Sequence, residues 1–181
     1  MALAYAAEHP DAAGAVVLIG CGTFDPKARS KLQETIASRI SPNLHKKLER
    51  LQTEIEDPDL CLKQTYELLS PVYSYDPLPD DHEVLAVDIK AQEETWNDML
   101  RLQTEGVYPK AFSAISSPVL MLHGTYDPHP GRMILASLKP HIPQLEYCEW
   151  ERCGHYPWRE KAVRELFFST LRDWLVKHLR E

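Results

Sequence analysis

The sequence predicts an α/β protein with a parallel sheet and a helical cap inserted between two of its strands. Short apolar segments alternate with helical patterns in the last third of the chain, and one more apolar segment lies near its start. Residues 25–106 are charged and helical, and this block is too long for a simple crossover between neighbouring strands. We therefore expect residues 1–24 and 107–181 to build the sheet core and residues 25–106 to form the cap.

The composition is that of a globular protein and argues against nucleic acids and membranes as partners. Of the 181 residues, 44% are hydrophobic and 26% are charged, with 20 basic and 27 acidic side chains and a formal net charge of −7. Nucleic acids and anionic membranes both attract basic clusters, so we expect neither as a partner. The four cysteines include no CxxC pair and are predicted to be reduced packing residues.

The chain shows no pattern of a targeting or membrane-spanning segment. Residues 1–10 lack the basic start and the apolar centre of a secretory signal. No apolar run approaches the roughly 18 residues that a spanning helix needs. The sequence therefore predicts a cytoplasmic protein.

Residues 1–24 are predicted to contribute one helix and one strand to the sheet core. The stretch "MALAYAAEH" is rich in alanine and has the pattern of a helix interior, because no capping residue precedes it. The stretch "AGAVVLIGCGTF" is a continuous apolar run with β-branched residues that ends in glycines. This pattern is typical of a parallel strand buried on both faces.

Residues 25–106 carry repeated start signals for helices. An N-cap type residue precedes a proline at three places: Asp25-Pro26, Ser41-Pro42 and Asp57-Pro58. The second of these helices has a single apolar stripe, formed by Leu44, Leu48, Leu51 and Ile55. A polar, proline-bearing loop is predicted over residues 70–82, and a fourth helix follows it and stops at Gly106.

Residues 107–181 alternate between strands and helices. The stretch "SPVLMLHG" predicts the second strand, "GRMILASLK" a helix closed by Pro140, and "QLEYCEW" the third strand. Residues 158–180 predict a long helix whose apolar residues recur at spacings of three and four. One face of that helix must therefore be covered by the rest of the protein.

Two loops of this last segment carry the side chains of a candidate active site. In open parallel sheets, reactive groups collect just beyond the carboxyl ends of the strands. Asp127 follows the second predicted strand and His155 follows the third, which places both at the same edge of the sheet. An imidazole backed by a carboxylate is the base half of a nucleophilic triad, because the carboxylate fixes the tautomer while the imidazole takes a proton from a hydroxyl.

The motifs around these two residues resemble the α/β-hydrolase superfamily, in particular its proline-iminopeptidase-like branch. The stretch "PVLMLHGTYDPHP" is similar to the acid loop of that family and matches it at His123, Gly124, Asp127 and Pro130. The stretch "GHYPWRE" is similar to its histidine loop, Gly-His-x-Pro-x-x-Glu, and matches it at Gly154, His155, Pro157 and Glu160. The resemblance implies a serine hydrolase that cleaves an ester or a small amide substrate, with Asp127 as the acid, His155 as the base, and neither cofactor nor metal.

The nucleophile of that family has no counterpart in the chain. It stands in a Gly-x-Ser-x-Gly turn, and no such turn occurs in the 181 residues. Because "ALAYAAEHP" resembles the helix that follows the nucleophile, the resemblance implies a serine a few residues upstream of Met1. We therefore expect the C-terminal part of a hydrolase, inactive alone and prone to self-association through the exposed edge of its first strand.

The sequence leaves other interpretations of these residues open. Asp127 could cap the helix that follows it, and His155 could bond a local carbonyl. Cys21 could be a nucleophile or a buried thiol. A metal is a further alternative, because His123, Asp127 and His129 lie at a metal-like spacing.

The sequence leaves two questions about function undecided: whether the protein is a catalyst, and which substrate it would take. A non-catalytic protein that binds a ligand or a partner under its cap is the alternative to a hydrolase. Within the iminopeptidase branch, acidic cap residues hold the free amine of the substrate, and Glu93 and Glu94 are candidates that no motif singles out. The substrate itself cannot be deduced, because this fold supports many reactions.

Overall fold

A computed structural model describes residues 1–12, 14–79 and 86–179 and forms seven α-helices and three strands within them. The elements in chain order are α1 (Ala2–Glu8), β1 (Val16–Ile19), α2 (Pro26–Arg39), α3 (Pro42–Glu54), α4 (Pro58–Tyr73), α5 (Ile89–Thr104), β2 (Val119–Gly124), α6 (Gly131–Leu138), β3 (Leu145–Trp150) and α7 (Arg164–His178). Two 3-10 turns lie at Lys110–Ala114 and Pro157–Arg159. The predicted α/β class is confirmed. Residues 80–82 of the predicted loop, residue 13 of the first predicted strand and residue 180 of the last predicted helix lie outside the described residues.

The three strands form one parallel sheet, as predicted, and their order in it is β1-β2-β3. Val16 pairs with Val119, and Val119 pairs with Leu145 on its other side. The central strand β2 is buried along its whole length. Within the described residues, β1 has a partner strand on one edge only.

Helices cover both faces of the sheet. Side chains alternate along β2, so that Val119 lies in one core with α1 and α6, and Leu120 lies in a second core with α7. The expected apolar face of α7 is buried at Phe167 and Trp174, and each large side chain of this kind contributes about 1.5–3 kcal/mol when it is fully buried. Leu166 and Leu179, which the same apolar spacing placed on the covered face, are 51% and 52% exposed, so the prediction was wrong for these two residues.

The three predicted start signals of residues 25–57 all begin helices. The Asp25 carboxylate accepts a hydrogen bond from Ala28 N at 2.9 Å, and the Ser41 hydroxyl accepts one from Leu44 N at 3.2 Å. Asp57 caps α4 in the same way. The apolar stripe of α3 is half-buried, as its spacing predicted, and α3 packs against α4.

Two element boundaries differ from the prediction. The helix α4 continues to Tyr73, so that residues 70–73 of the predicted loop are helical. Pro71 removes one hydrogen bond of the last turn, but Val72 is 2% exposed and Ser74 N still bonds Ser70 O, so packing outweighs the loss. The helix α7 begins at Arg164 instead of residue 158, because residues 159–161 bond the segment that follows α4, residues 75–78.

None of the helices in the described parts of the chain combines the length and the apolar character that crossing a membrane would require.

Candidate active site

The carboxyl ends of the three strands bring the predicted acid and base together. Asp127 lies in the loop after β2 and His155 in the loop after β3, and His155 Nδ1 lies 2.7 Å from Asp127 Oδ2. The side chain of Asp127 is fully buried, whereas that of His155 is 20% exposed. The carboxylate is therefore shielded from water while the imidazole stays accessible.

This contact determines the tautomer of His155. A neutral imidazole must donate its proton from Nδ1 to the Asp127 carboxylate, because the carboxylate can only accept. Nε2 is then left unprotonated and able to take a proton from a hydroxyl. The arrangement can act as a general base in one step and as a general acid in the next.

Asp127 is charged at neutral pH in spite of its burial. Burial by itself raises the pKa of this carboxyl, but hydrogen bonds from His129 and His155 outweigh it and hold the pKa well below its usual range. A backbone donor, His129 N, adds a further hydrogen bond at 2.9 Å.

The structure adds His129 as a direct partner of the carboxylate, a contact that the sequence did not predict. Its Nδ1 lies 2.8 Å from Asp127 Oδ1, and its ring stacks on that of His155 with 4.8 Å between the ring centroids. The signal for this contact was the spacing of two residues in "DPH", where the side chain and the backbone N–H of His129 both turn back to the carboxylate.

His123 supports the acid loop from beneath. Its side chain is buried, and its Nε2 lies 2.9 Å from the carbonyl oxygen of His129 and 3.5 Å from Asp127 Oδ2. Gly131 packs against the His123 ring so closely that any side chain at position 131 would overlap it. His123 therefore holds the loop that carries Asp127.

Gly20, at the end of β1, forms the floor under His155. It has a φ of +57°, and a Cβ at this position would lie 2.7 Å from His155 Cε1. Both its conformation and this close approach require glycine. The rings of Tyr73 and Tyr156 pack edge-on against the imidazole, with centroids at 5.6 and 4.8 Å.

The local alternatives for Asp127 and His155 do not match the contacts. The helix α6 begins at Gly131, its N-cap residue is Pro130, and no side chain caps it, so Asp127 does not cap it. The His155 ring contacts the Asp127 carboxylate, and it is the backbone N–H of His155 that bonds a carbonyl, that of Tyr73.

Cys21 is half-buried and packs against the core formed around β1, α1 and α6. Burial raises its pKa to about 12, so the sulfur is protonated at neutral pH. A protonated thiol is a poor nucleophile and a poor metal ligand. This favours the packing interpretation of Cys21.

A metal ion would have to compete with the hydrogen bonds of the site. Asp127, His129 and His155 each offer a ligand atom, and these atoms lie within 4.8 Å of one another. This set differs from the sequence-based one, in which His123 took the place of His155. Both imidazole Nδ1 atoms already bond the carboxylate, so a metal ion would displace two protons.

Comparison with known proteins gives similarity in structure but not in sequence. No family model matches the chain, and no curated protein matches it. A proline iminopeptidase of Mycobacterium smegmatis superimposes with a TM-score of 0.55 at 13% identity, over 98% of this chain and 61% of the other. A highly thermostable carboxyl esterase of Bacillus coagulans, in complex with glycerol, gives 0.53 at 15% identity, over 99% and 61%.

A third structure, that of VinJ, gives a TM-score of 0.53 at 14% identity, over 98% of this chain and 62% of the other. At such identities the likeness establishes the fold alone. The predicted α/β-hydrolase fold is confirmed. The chain spans about three fifths of the length of these structures.

Proposed function

We propose that Asp127 and His155 are the acid and the base of a serine hydrolase that cleaves an ester or a small amide bond. The observation that supports this most strongly is the contact of 2.7 Å between a fully buried carboxylate and an accessible imidazole, at the carboxyl edge of a parallel sheet. His155 Nε2 would take the proton of the attacking serine, and Asp127 would stabilise the imidazolium that results. The imidazolium would then give its proton to the leaving group.

The serine would come from a strand that pairs with the free edge of β1. A parallel strand in that position would end beside Gly20, the residue against which the His155 ring lies. The shorter span of this chain relative to the superimposed hydrolase-fold structures supports such an additional segment. The segment could belong to a longer form of this chain or to another polypeptide.

The substrate class rests on the fold and on the acid–base pair. The superimposed structures include one named as a proline iminopeptidase and one named as a carboxyl esterase. Both names describe hydrolysis at an acyl carbon, which suits a general base next to a serine. Glu94 lines a cavity of about 760 Å³ beside α5, but the residues around that cavity do not include His155, so we propose an ester or amide without a requirement for a free amine.

The same cavity is the observation behind the alternative function. Its walls are largely apolar and include Trp96, Met99, Leu102 and Tyr108. Such a cavity could hold an apolar ligand in a protein that catalyses nothing. A ligand that binds equally well after His155→Ala, together with no turnover in any form of the protein, would favour this function over the hydrolase.

The test of the hydrolase uses a protein that carries the serine. His155→Ala should abolish hydrolysis of a p-nitrophenyl ester, whereas His45→Ala, at an exposed position on α3, should not change it. Undiminished turnover by the His155→Ala protein would show that the assignment is wrong. The 181-residue chain alone should not react with a fluorophosphonate probe, and labelling at any of its serines would place the nucleophile inside it.

A further inference from the structure

Glu160 is a deeply buried carboxylate in the loop that carries His155. The residue is 1% exposed, and among the described residues its side-chain oxygens accept three backbone hydrogen bonds. Oε1 accepts from Tyr75 N at 2.8 Å and from Gly154 N at 2.9 Å, and Oε2 accepts from Asp76 N at 2.8 Å. One carboxylate therefore joins two backbone segments that are far apart in sequence.

The two segments are the end of α4 with the residues after it, 73–78, and the loop that carries His155, 153–161. We call them the α4 tail and the histidine loop. Residues 76–78 run antiparallel to residues 159–161: Leu78 N donates to Arg159 O at 2.7 Å and Lys161 N to Asp76 O at 3.1 Å. A separate bond runs from His155 N to Tyr73 O at 2.8 Å. His155 is thus bonded to the α4 tail through its own backbone.

Gly154 makes this approach possible. A Cβ at position 154 would overlap the carbonyl oxygen of Tyr73 and would lie 2.7 Å from Glu160 Oε1. The absence of a side chain lets the histidine loop lie directly against the α4 tail. The residue before the base is therefore fixed on one side by Tyr73 and on the other by Glu160.

The acid loop is tied to the same part of α4. Arg39 Nη1 donates to the carbonyl oxygens of Val72 and of Tyr126, each at 2.8 Å. The guanidinium also lies 3.8 Å from the centre of the Tyr126 ring, and Tyr126 directly precedes Asp127. The end of α4 thus contacts the loops of both proposed catalytic residues.

We propose that Glu160 is a positioning residue for His155: it fastens the histidine loop to the α4 tail, so that the inserted helices set the His155–Asp127 hydrogen bond. This rests on the proposed function only for the role of His155 in catalysis. Movement of α4, for example when a substrate contacts the inserted helices, would be transmitted to the imidazole through Glu160. Loss of the Glu160 contacts would free His155 without removing either member of the pair.

The variant Glu160→Gln tests this with little change in volume. The amide keeps one acceptor oxygen and places an NH₂ group against a backbone N–H donor, so at least one of the three bonds is lost. The matched control is Glu151→Gln. Glu151 is an exposed carboxylate at the end of β3 and makes a contact of 3.4 Å with the Thr125 hydroxyl.

Hydrogen–deuterium exchange of the 181-residue chain, followed by mass spectrometry, measures how firmly the junction between the α4 tail and the histidine loop is held. In Glu160→Gln we expect peptides covering the α4 tail and the histidine loop to exchange about tenfold faster, the factor that corresponds to one lost hydrogen bond to a charged acceptor. Peptides from β2 should exchange as before, which shows that the sheet remains folded. Glu151→Gln should match the parent chain throughout.

Diethyl pyrocarbonate modifies unprotonated imidazole nitrogens. Its rate of reaction with His155 reports on the environment of that ring and does not require catalytic turnover. The rate of site-resolved modification at His155 in Glu160→Gln should depart from the parental value and move toward the rate found in Asp127→Asn, while His45 serves as the internal reference. If the junction loosens but the His155 rate stays at the parental value, Glu160 is structural only and the proposal is wrong. Unchanged exchange at both segments would also overturn it. Absence of hydrolase activity would bear on the proposed function and not on this result.

Discussion

His129 Nδ1 lies 2.8 Å from Asp127 Oδ1, on the carboxylate oxygen opposite the one that His155 contacts. Two stacked imidazoles therefore share one buried carboxylate. The ring of His129 takes up an acceptor site that would otherwise need a backbone donor or water, so the acid of the pair has a partner on each oxygen.

Replacing His129 should weaken the acid loop. His129→Phe keeps the backbone hydrogen bond from His129 N but removes the ring donor from a buried carboxylate. We expect the free energy of unfolding, measured by urea denaturation, to fall by about 1.5–3 kcal/mol, the range for a hydrogen bond to a charged group. His45→Phe on the exposed face of α3 is the control. Equal stability of the two variants would mean that the His129 ring contributes nothing to the loop.

Asp127→Asn should disable the base while the fold survives. The NH₂ group of the amide cannot accept a hydrogen bond from His155 Nδ1, and when it donates one to the ring it favours the wrong tautomer of the imidazole. If the proposed function holds, kcat of a protein that carries the serine should drop about 10⁴-fold, the loss that the same change causes in an established Ser-His-Asp triad. Asp173→Asn, at an exposed position on α7, is the matched control. A kcat within a few-fold of the parent would remove Asp127 from the mechanism.

Stability should fall on acidification because of Asp127. Its pKa in the folded protein lies below the value of about 3.9 in an unfolded chain, so the unfolded state binds the proton more readily. The contribution of Asp127 is fully present above about pH 5 and is lost progressively as the pH falls through 4 toward the folded-state pKa. Urea denaturation between about pH 3 and pH 6 should show that the free energy of unfolding falls more steeply with decreasing pH for the parent than for Asp127→Asn. Parallel curves would indicate that Asp127 has the same pKa in both states.

The free edge of β1 should make the isolated chain self-associate. Val16 N and Gly20 N both bond carbonyls of the β2 side, so by the alternation of a parallel ladder Val17 N points away from β2 toward the free edge. Val17→Pro should reduce the association seen by light scattering after size exclusion, because it removes an edge donor without touching the β2 ladder. Val16→Pro should instead destabilise the sheet by breaking its bond to Pro118 O. A monomeric parent chain would show that this edge is not an association surface.

The local chemistry of the sequence predicted the elements that depend on near neighbours. A cap such as Asp25 bonds a backbone N–H three residues away, so the residue pair itself specifies where the helix begins. The buried strand β2 could likewise be predicted from a continuous apolar run. The placement of Asp127 and His155 at one sheet edge followed from the order of strands and loops along the chain.

Only the tertiary structure determined the contacts between distant segments. The hydrogen bond between Tyr75 N and Glu160 joins residues 85 positions apart, and it replaces the first turns that were predicted for α7. The end of α4 remains helical past Pro71 because Val72 is buried there. The sequence of the helix does not indicate which part of the protein covers Val72. The sequence by itself determined the capped starts of α2, α3 and α4, the alternation of strands and helices, and the two candidate side chains, because these depend on bonds within a few residues or on chain order. Two features depend on the tertiary structure: the stacking of His129 on His155 at the Asp127 carboxylate, and the attachment of the histidine loop to the α4 tail. Both involve packing between segments far apart in the chain, and such packing leaves no local pattern.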